Sequence, residues 1–111
     1  MMIYKLFRGP EWQELQRAGT TRGAPIDIED GYIHFSTASQ VAETARRYFQ
    51  GVDGLMLISV EAEGLGDALK WEPSRGGDLF PHLYRELRLS DVASAVELRR
   101  DGEGHAFPDL P

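Results

Sequence analysis

The chain has 111 residues and a formal charge of −6, from 12 Lys and Arg against 18 Asp and Glu. This length fits one domain over residues 1–111, and the 41% of hydrophobic residues supply a core that a disordered chain lacks. The absence of cysteine excludes disulfides, thiol nucleophiles, iron–sulfur clusters and cysteine-ligated zinc.

The sequence of residues 3–35 predicts a strand, a helix and a second strand. Residues 3–7 are aromatic and branched, which predicts a strand. Pro10 suits the first turn of a helix, and apolar spacing continues to Gly19, where we expect the helix to end. Residues 27–31 are typical of a turn, and residues 32–35 predict the second strand.

A second helix follows this strand. Thr37 with Gln40 fits a capping box, with Thr37 as the N-cap residue. The helix then places apolar and small residues on one face and is expected to end at Gly51. The residues of that face are Val41, Thr44, Ala45, Tyr48 and Phe49.

The second half of the chain predicts strands separated by loops. The most apolar strand, residues 55–60, is expected at the centre of a sheet. A short strand at 69–72 precedes a flexible loop at 73–77, and further extended segments follow at 80–84 and 93–98.

We expect residues 101–111 to form an irregular C-terminal tail. Two main helices among five or six strands, without strict alternation, predict an α+β fold with a mixed, mainly antiparallel sheet.

Histidine is the first candidate for chemistry because its unperturbed side chain titrates near neutral pH. Strand alternation places His34 on the face opposite Ile33 and Phe35, and His82 lies beside a glycine-rich loop. Both are candidates for proton transfer, although a histidine bonded only to backbone would fit equally well. His105, in the tail, is expected to be solvated.

Ser36 and Thr37 stand where a strand leads into a helix. Hydroxyls there serve as helix caps, and the same helix N-terminus could hold a phosphate or carboxylate. Arg46 adds a positive charge that could contact such an anion.

A second group of candidates surrounds the loop at 73–77. Trp71 could stack on a flat ring or be a core residue at a sheet edge. Glu72 could act as an acid or base, or pair on the surface with Arg75. Arg75 among glycines could bind an anion, without the spacing of a phosphate-loop motif.

The distribution of charge and the absence of several sequence motifs argue against some classes of function. All of the −6 charge lies in residues 51–111, which disfavours generic nucleic-acid binding. The sequence has no metal-ligand spacing, no Gly-x-Ser-x-Gly and no Gly-x-Gly-x-x-Gly, which argues against a metal site, a serine hydrolase and a Rossmann dehydrogenase. Without a membrane-length apolar run or a signal segment, we expect a cytoplasmic protein with no membrane partner.

Two segments of the chain have a specific sequence pattern. They are residues 33–40, with His34, Ser36 and Gln40, and residues 80–84, with His82 and Tyr84. Together with several other segments, in the same order along the chain, they resemble a small bacterial family known as domain of unknown function 952. The resemblance covers nearly the whole chain.

That family is similar, more distantly, to the ADP-ribosyltransferase fold of the tRNA 2′-phosphotransferases, which implies a nucleotide cleft and NAD as a cofactor. His34-Phe35-Ser36 with Arg46 or Arg47 looks like one motif of that fold. Two positions depart from it, since Lys5 stands where the fold has a histidine and His82 stands near its catalytic glutamate.

Three hypotheses follow. The first is a transferase or hydrolase whose cleft binds a nucleotide or phosphorylated metabolite. The second is a non-catalytic module that binds a metabolite or a protein, and the third is that no site exists. In the first, the catalytic residues are His34, His82 and Glu72, and the ligand-binding residues are Lys5, Ser36, Thr37, Trp71, Arg75, Tyr84 and Arg46.

Overall fold

Ten strands and three helices form within residues 1–110, the part of the chain that the computed structural model describes. The helices are α1 (Gly9–Ala18), α2 (Pro25–Asp30) and α3 (Val41–Tyr48). The strands are β1 (Met2–Phe7), β2 (Thr20–Thr21), β3 (Ile33–His34), β4 (Met56–Glu61), β5 (Leu69–Pro73), β6 (Leu79–Leu83), β7 (Leu87–Arg88), β8 (Val92–Glu97), β9 (Arg99–Asp101) and β10 (Gly104–Ala106). The strand pairs are antiparallel, and the α+β class is confirmed.

The first sheet has the order β1-β4-β8, so the apolar strand predicted to be central does lie at the centre. Strand β1 is buried on both faces. Ile3 and Phe7 pack into one core cluster, and Tyr4 and Leu6 pack into another on the opposite side. Alternation therefore turns Lys5 toward the same side as Ile3 and Phe7, where a charged group needs a partner.

A second sheet has the order β3-β6-β5. One isolated bridge joins it to the first sheet, where Tyr4 and Ser36 exchange two backbone N–H···O bonds of 2.8 Å. Because this contact is confined to one residue pair, the two sheets are not continuous there. Residues on both sides of the bridge line the cleft described below.

The segment before β3 is a helix, so the turn predicted over residues 27–31 is wrong. Pro25 starts α2 with the fixed φ that suits a first helical turn. The Asp27 carboxylate accepts the N–H of Ala24 at 2.7 Å and caps the helix. Gly31 ends it with a φ of 87°, a conformation that favours glycine. Residues 1–110 thus contain three α-helices where two main helices were expected, in addition to short 3₁₀ helices.

Helix α3 begins later than predicted, and Thr37 is not its N-cap. Gln40 Oε1 accepts the Thr37 N–H at 3.0 Å, but the Thr37 hydroxyl bonds to Ser39 Oγ rather than to a helix N–H. The first helical residue is Val41, and the helix ends at Tyr48, before Gly51. Within residues 1–110, none of the helices has the length and apolar character needed to cross a membrane.

The expectation of an irregular tail is wrong for its first residues. Strands β9 and β10 pair as a hairpin over residues 99–106. His105 is half-buried rather than solvated, since its Nε2 lies 2.7 Å from the carbonyl oxygen of Val52. Phe107 and Leu110 pack against the core, and Pro111 lies outside the described residues.

Candidate functional site

A cleft of about 570 Å³ lies beside the bridge between the two sheets. Its walls come from β1, the start of α2, β3, α3, the loop after β5, and β6. Five of the predicted site residues line it, namely Lys5, His34, Ser36, Arg75 and His82. The topology brings together side chains that are up to 77 positions apart, since 82 − 5 = 77.

Lys5 is held in a buried ion pair. Its Nζ lies 2.8 Å from Asp27 Oδ2 and donates to the His34 carbonyl at 2.9 Å. The Lys5 side chain is 6% exposed and that of Asp27 is 0% exposed. Burial lowers the pKa of Lys5, and the charge of Asp27 opposes this. Lys5 is therefore a neutralised structural cation rather than a free anion-binding group.

His34 lies between two carboxylates of α2. Its Nδ1 is 2.6 Å from Asp27 Oδ1, and its Nε2 is 3.0 Å from Asp30 Oδ2. Residues three apart on a helix share one face, so α2 presents both acids to the ring. Burial would raise the pKa of Asp27, but the hydrogen bond from His34 and the charge of Lys5 together lower it.

His82 stands directly opposite His34 in the β3–β6 register, and the two ring centroids are 5.4 Å apart. Its Nδ1 lies 2.8 Å from Glu72 Oε1, which also accepts the Tyr84 hydroxyl at 2.7 Å. Tyr32 stacks on the His82 ring at 4.2 Å. Nε2 of His82 has no hydrogen-bond partner among residues 1–110, which leaves a ring nitrogen free at the cleft wall.

Arg75 is fixed by neutral neighbours. Its Nη2 donates to Thr44 Oγ1 at 2.8 Å, and the guanidinium lies over the rings of Phe80 at 4.6 Å and Tyr48 at 5.7 Å. Nη1 is buried and has no hydrogen-bond partner within residues 1–110. The same is true of the hydroxyl of Tyr4, which lines the same cleft. Buried polar atoms are rarely left unpaired, so each has capacity for a ligand atom.

The structure does not form a helix N-terminus at Ser36 and Thr37, where the sequence suggested that one could hold an anion. Ser36 lines the cleft, but its hydroxyl is bonded to Thr44 Oγ1 at 2.9 Å. Thr37 lies outside the cleft, and its N–H is taken by Gln40. Since α3 begins only at Val41, its free N–H groups are displaced from the Ser36–Thr37 junction.

Three other predicted ligand-binding residues also lie outside the cleft. Trp71 is 40% exposed and alternates to the face opposite Glu72. Tyr84 borders a separate hollow of about 140 Å³, and its hydroxyl donates to Glu72, which does not line the cleft either. Arg46 pairs with Glu43 on the exposed side of α3.

Sequence reasoning missed Tyr4, Asp27, Asp30 and Thr44. The two acids lie three residues apart before His34, which is a usable signal only once α2 is recognised as a helix. Thr44 falls on the predicted apolar face of α3, and a polar residue on such a face can signal a site. Among residues 1–110, no group of three His, Asp or Glu residues is placed to hold a metal ion.

Glu72 controls the ionisation of Tyr84. The carboxylate accepts a hydrogen bond from the phenol hydroxyl, which raises the pKa of Tyr84 to about 12. We expect Glu72→Gln to lower that pKa toward the usual value of about 10. Carbon-13 NMR titration of tyrosine labelled at Cζ measures this, with Glu86→Gln as the control. A Tyr84 that still titrates near 12 in Glu72→Gln would contradict the assignment.

Comparison with known proteins gives the family. The family model described as "Protein of unknown function (DUF952)" matches residues 6–95. The crystal structure of protein CC0527 from Caulobacter crescentus is 45% identical with a TM-score of 0.91, over 95% of this chain and 92% of that chain. The solution NMR structure of CC0527 is 45% identical with a TM-score of 0.83, over 94% and 90% of the two chains. No curated protein matches the chain. The chain belongs to the DUF952 family of proteins of unknown function.

Proposed function

We propose that the cleft binds a small anionic molecule, a nucleotide or another phosphorylated metabolite, and acts on it as a transferase or hydrolase. The observation that carries this proposal is the pair of buried, unpartnered groups at the cleft wall, Arg75 Nη1 and the Tyr4 hydroxyl. A guanidinium donor and a phenol are suited to phosphate oxygens.

The volume and charge of the cleft support a small ligand. Its 570 Å³ falls within the range of about 300–1,000 Å³ typical of small-molecule sites. Lys5 is neutralised by Asp27, whereas Arg75 makes no ion pair among residues 1–110. The chain's charge of −6 disfavours a long polyanion but not a single phosphate held by one fixed guanidinium.

The likeness to the ADP-ribosyltransferase fold remains part of the proposal, supported by two sheets that meet at one bridge beside a cleft. The residues do not fit NAD as an ADP-ribosyl donor. Lys5, at the position of the fold's histidine, is already bonded to Asp27 and the His34 carbonyl. An imidazole, His82, stands near the position of the glutamate, so no carboxylate faces a developing positive charge there. We therefore propose no step through NAD.

Isothermal titration calorimetry with AMP, ADP and inorganic phosphate tests the binding proposal. We expect saturable binding of AMP or ADP, weakened about 10- to 100-fold in Arg75→Met through loss of a charge-assisted hydrogen bond. Arg46→Met removes the same charge outside the cleft and is expected to bind as the wild type does. No heat at millimolar ligand, or equal loss in both variants, would overturn the proposal.

The second candidate is a non-catalytic binding module in the same cleft. The observation that favours it is that Arg75 and Tyr4, the two unpartnered groups, are binding groups rather than proton-transfer groups. It predicts ligand binding with no turnover, and with equal chemical stability of the ligand in the presence of wild type and His82→Asn.

A further inference from the structure

We infer that the cleft cleaves a phosphodiester, with His82 as the general base and His34, paired with Asp30, as the general acid. This inference rests on the proposed function, since it requires an anionic phosphate at Arg75. It adds the reaction and the role of each imidazole, which follow from the different surroundings of the two Nε2 atoms: that of His34 lies 3.0 Å from the Asp30 carboxylate, whereas that of His82 has no such neighbour among residues 1–110.

His82 is arranged as a base. Glu72 Oε1 lies 2.8 Å from Nδ1, so the proton of the neutral ring is held on Nδ1. Nε2, which has no partner among residues 1–110, is then the basic nitrogen. Glu72 does not line the cleft and acts through His82, which makes it a positioning residue.

His34 is arranged as an acid. Both of its ring nitrogens face carboxylate oxygens, Asp27 at 2.6 Å and Asp30 at 3.0 Å. Nδ1 forms a hydrogen bond with Asp27, whereas the contact of Nε2 with Asp30 is an ion-pair distance without hydrogen-bond alignment. Asp27 is buried, whereas Asp30 is partly exposed and lines the cleft. A proton carried by Nε2, beside Asp30, is therefore the one that a ligand can reach.

The step balances with water as the nucleophile. His82 Nε2 takes a proton from water as the oxygen forms a bond to phosphorus. The bond from phosphorus to the leaving oxygen breaks, and that oxygen takes the proton carried by His34 Nε2. Both imidazoles then return to their starting states by exchanging one proton with solvent, and no oxidant, reductant or further reactant is consumed.

Charge favours a diester over a monoester. Lys5 neutralises Asp27, but Asp30 and Glu72 remain beside the two rings, so a monoanionic diester is expected to bind more tightly than a dianionic monoester such as AMP. One guanidinium without an ion pair, Arg75, matches the single negative charge of a phosphodiester. An acid is needed because the leaving group of a sugar diester is an alkoxide, which departs slowly unless protonated.

Two phosphodiester substrates distinguish the role of the general base from that of the general acid. Adenosine 2′,3′-cyclic phosphate has an alkoxide leaving group, whereas bis(4-nitrophenyl) phosphate has a leaving group that needs no acid. His82→Asn keeps a donor near Glu72, and His34→Asn keeps one near Asp27, so each variant preserves the buried contact. Asp30→Asn, at a partly exposed position, is a second acid variant that leaves the Lys5–Asp27 pair untouched.

We expect the wild type to hydrolyse both diesters. His82→Asn should lose about 10²- to 10⁴-fold of kcat on both. His34→Asn and Asp30→Asn should lose a similar factor on the cyclic nucleotide and less than about tenfold on bis(4-nitrophenyl) phosphate. Glu72→Gln should lower kcat on both with KM unchanged, whereas a purely structural role would alter KM as well.

Different results would refute this inference and the proposed function. Binding of AMP by calorimetry without turnover of either diester would overturn the inference and leave the binding proposal standing. Equal losses on the two diesters in His34→Asn would overturn the role of His34 as the acid. Absence of any binding would overturn both.

Discussion

Replacing Asp27 with Asn is expected to destabilise the fold by about 3–5 kcal/mol, because it leaves the buried ammonium of Lys5 without its counter-charge. Lys5 is 6% exposed, and Asp27 Oδ2 is its carboxylate partner at 2.8 Å. The same carboxylate holds the Ala24 N–H, the His34 N–H and the His34 ring. One substitution therefore disturbs β1, α2 and β3 together.

Urea unfolding with linear extrapolation measures this loss. Asp30→Asn is the matched control and should change the free energy of unfolding by less than about 1 kcal/mol, since Asp30 is partly exposed. The double variant Lys5→Met/Asp27→Asn should be more stable than Asp27→Asn alone, because no charge then stays buried without a partner. If the double variant is less stable than the single one, Lys5 is not the group that needs Asp27.

The same residue sets the direction of acid sensitivity. His34 and Lys5 outweigh the effect of burial and hold the pKa of Asp27 below its usual value. The stability that Asp27 contributes is therefore complete above the unfolded pKa of about 3.9, and it is lost as pH falls through the lower folded pKa. Asp27→Asn should flatten this part of the pH–stability curve.

The second large effect is expected from Gly23→Ala. Gly23 has a φ of 101°, and an added Cβ would overlap Asp27 Oδ2 and stand 2.7 Å from Asp27 Cβ. Strained backbone at positive φ costs about 1–2 kcal/mol in any non-glycine residue. Displacing the Asp27 carboxylate adds a clash of about 1–3 kcal/mol and weakens the Lys5–Asp27 pair.

Gly31→Ala is the control that measures the backbone strain without the clash, so that the clash in Gly23→Ala is obtained by difference. Gly31 has a φ of 87°, and none of the described residues, 1–110, has an atom within 4 Å of an added Cβ. It should therefore cost only the backbone strain, and Gly23→Ala should exceed it by at least about 1 kcal/mol in urea unfolding. Equal losses in the two variants would show that the Asp27 carboxylate tolerates displacement.

Long apolar segments made much of the fold predictable. The strand at 55–60 and the helix ending at Gly19 carry strong local patterns, and both predictions are confirmed in position and type. Helix α2 was missed because six residues are too few to show helical periodicity, and its polar composition resembles a turn. The β9–β10 hairpin was missed because its residues are charged and its turn is short.

In the candidate site, too, the features that depend on local sequence were predictable, and those that depend on tertiary contacts were not. Alternation in β3 predicts the outward direction of His34, and Ile33 and Phe35 are indeed buried. The facing of His34 and His82 depends on the pairing of β3 with β6, which no local pattern specifies. The neutralisation of Lys5 depends on α2, so a lysine predicted to bind a ligand is instead occupied by Asp27.

Binding of AMP at Arg75 can be followed residue by residue with nitrogen-15 NMR of the full chain. Chemical shifts should change with saturation at Arg75, Thr44 and Phe80, which surround the unpartnered Nη1. The shift of the indole N–H of Trp71, which lies outside the cleft, should not change. Unchanged shifts at these three cleft residues under millimolar AMP, or changes centred on Trp71, would contradict binding at Arg75.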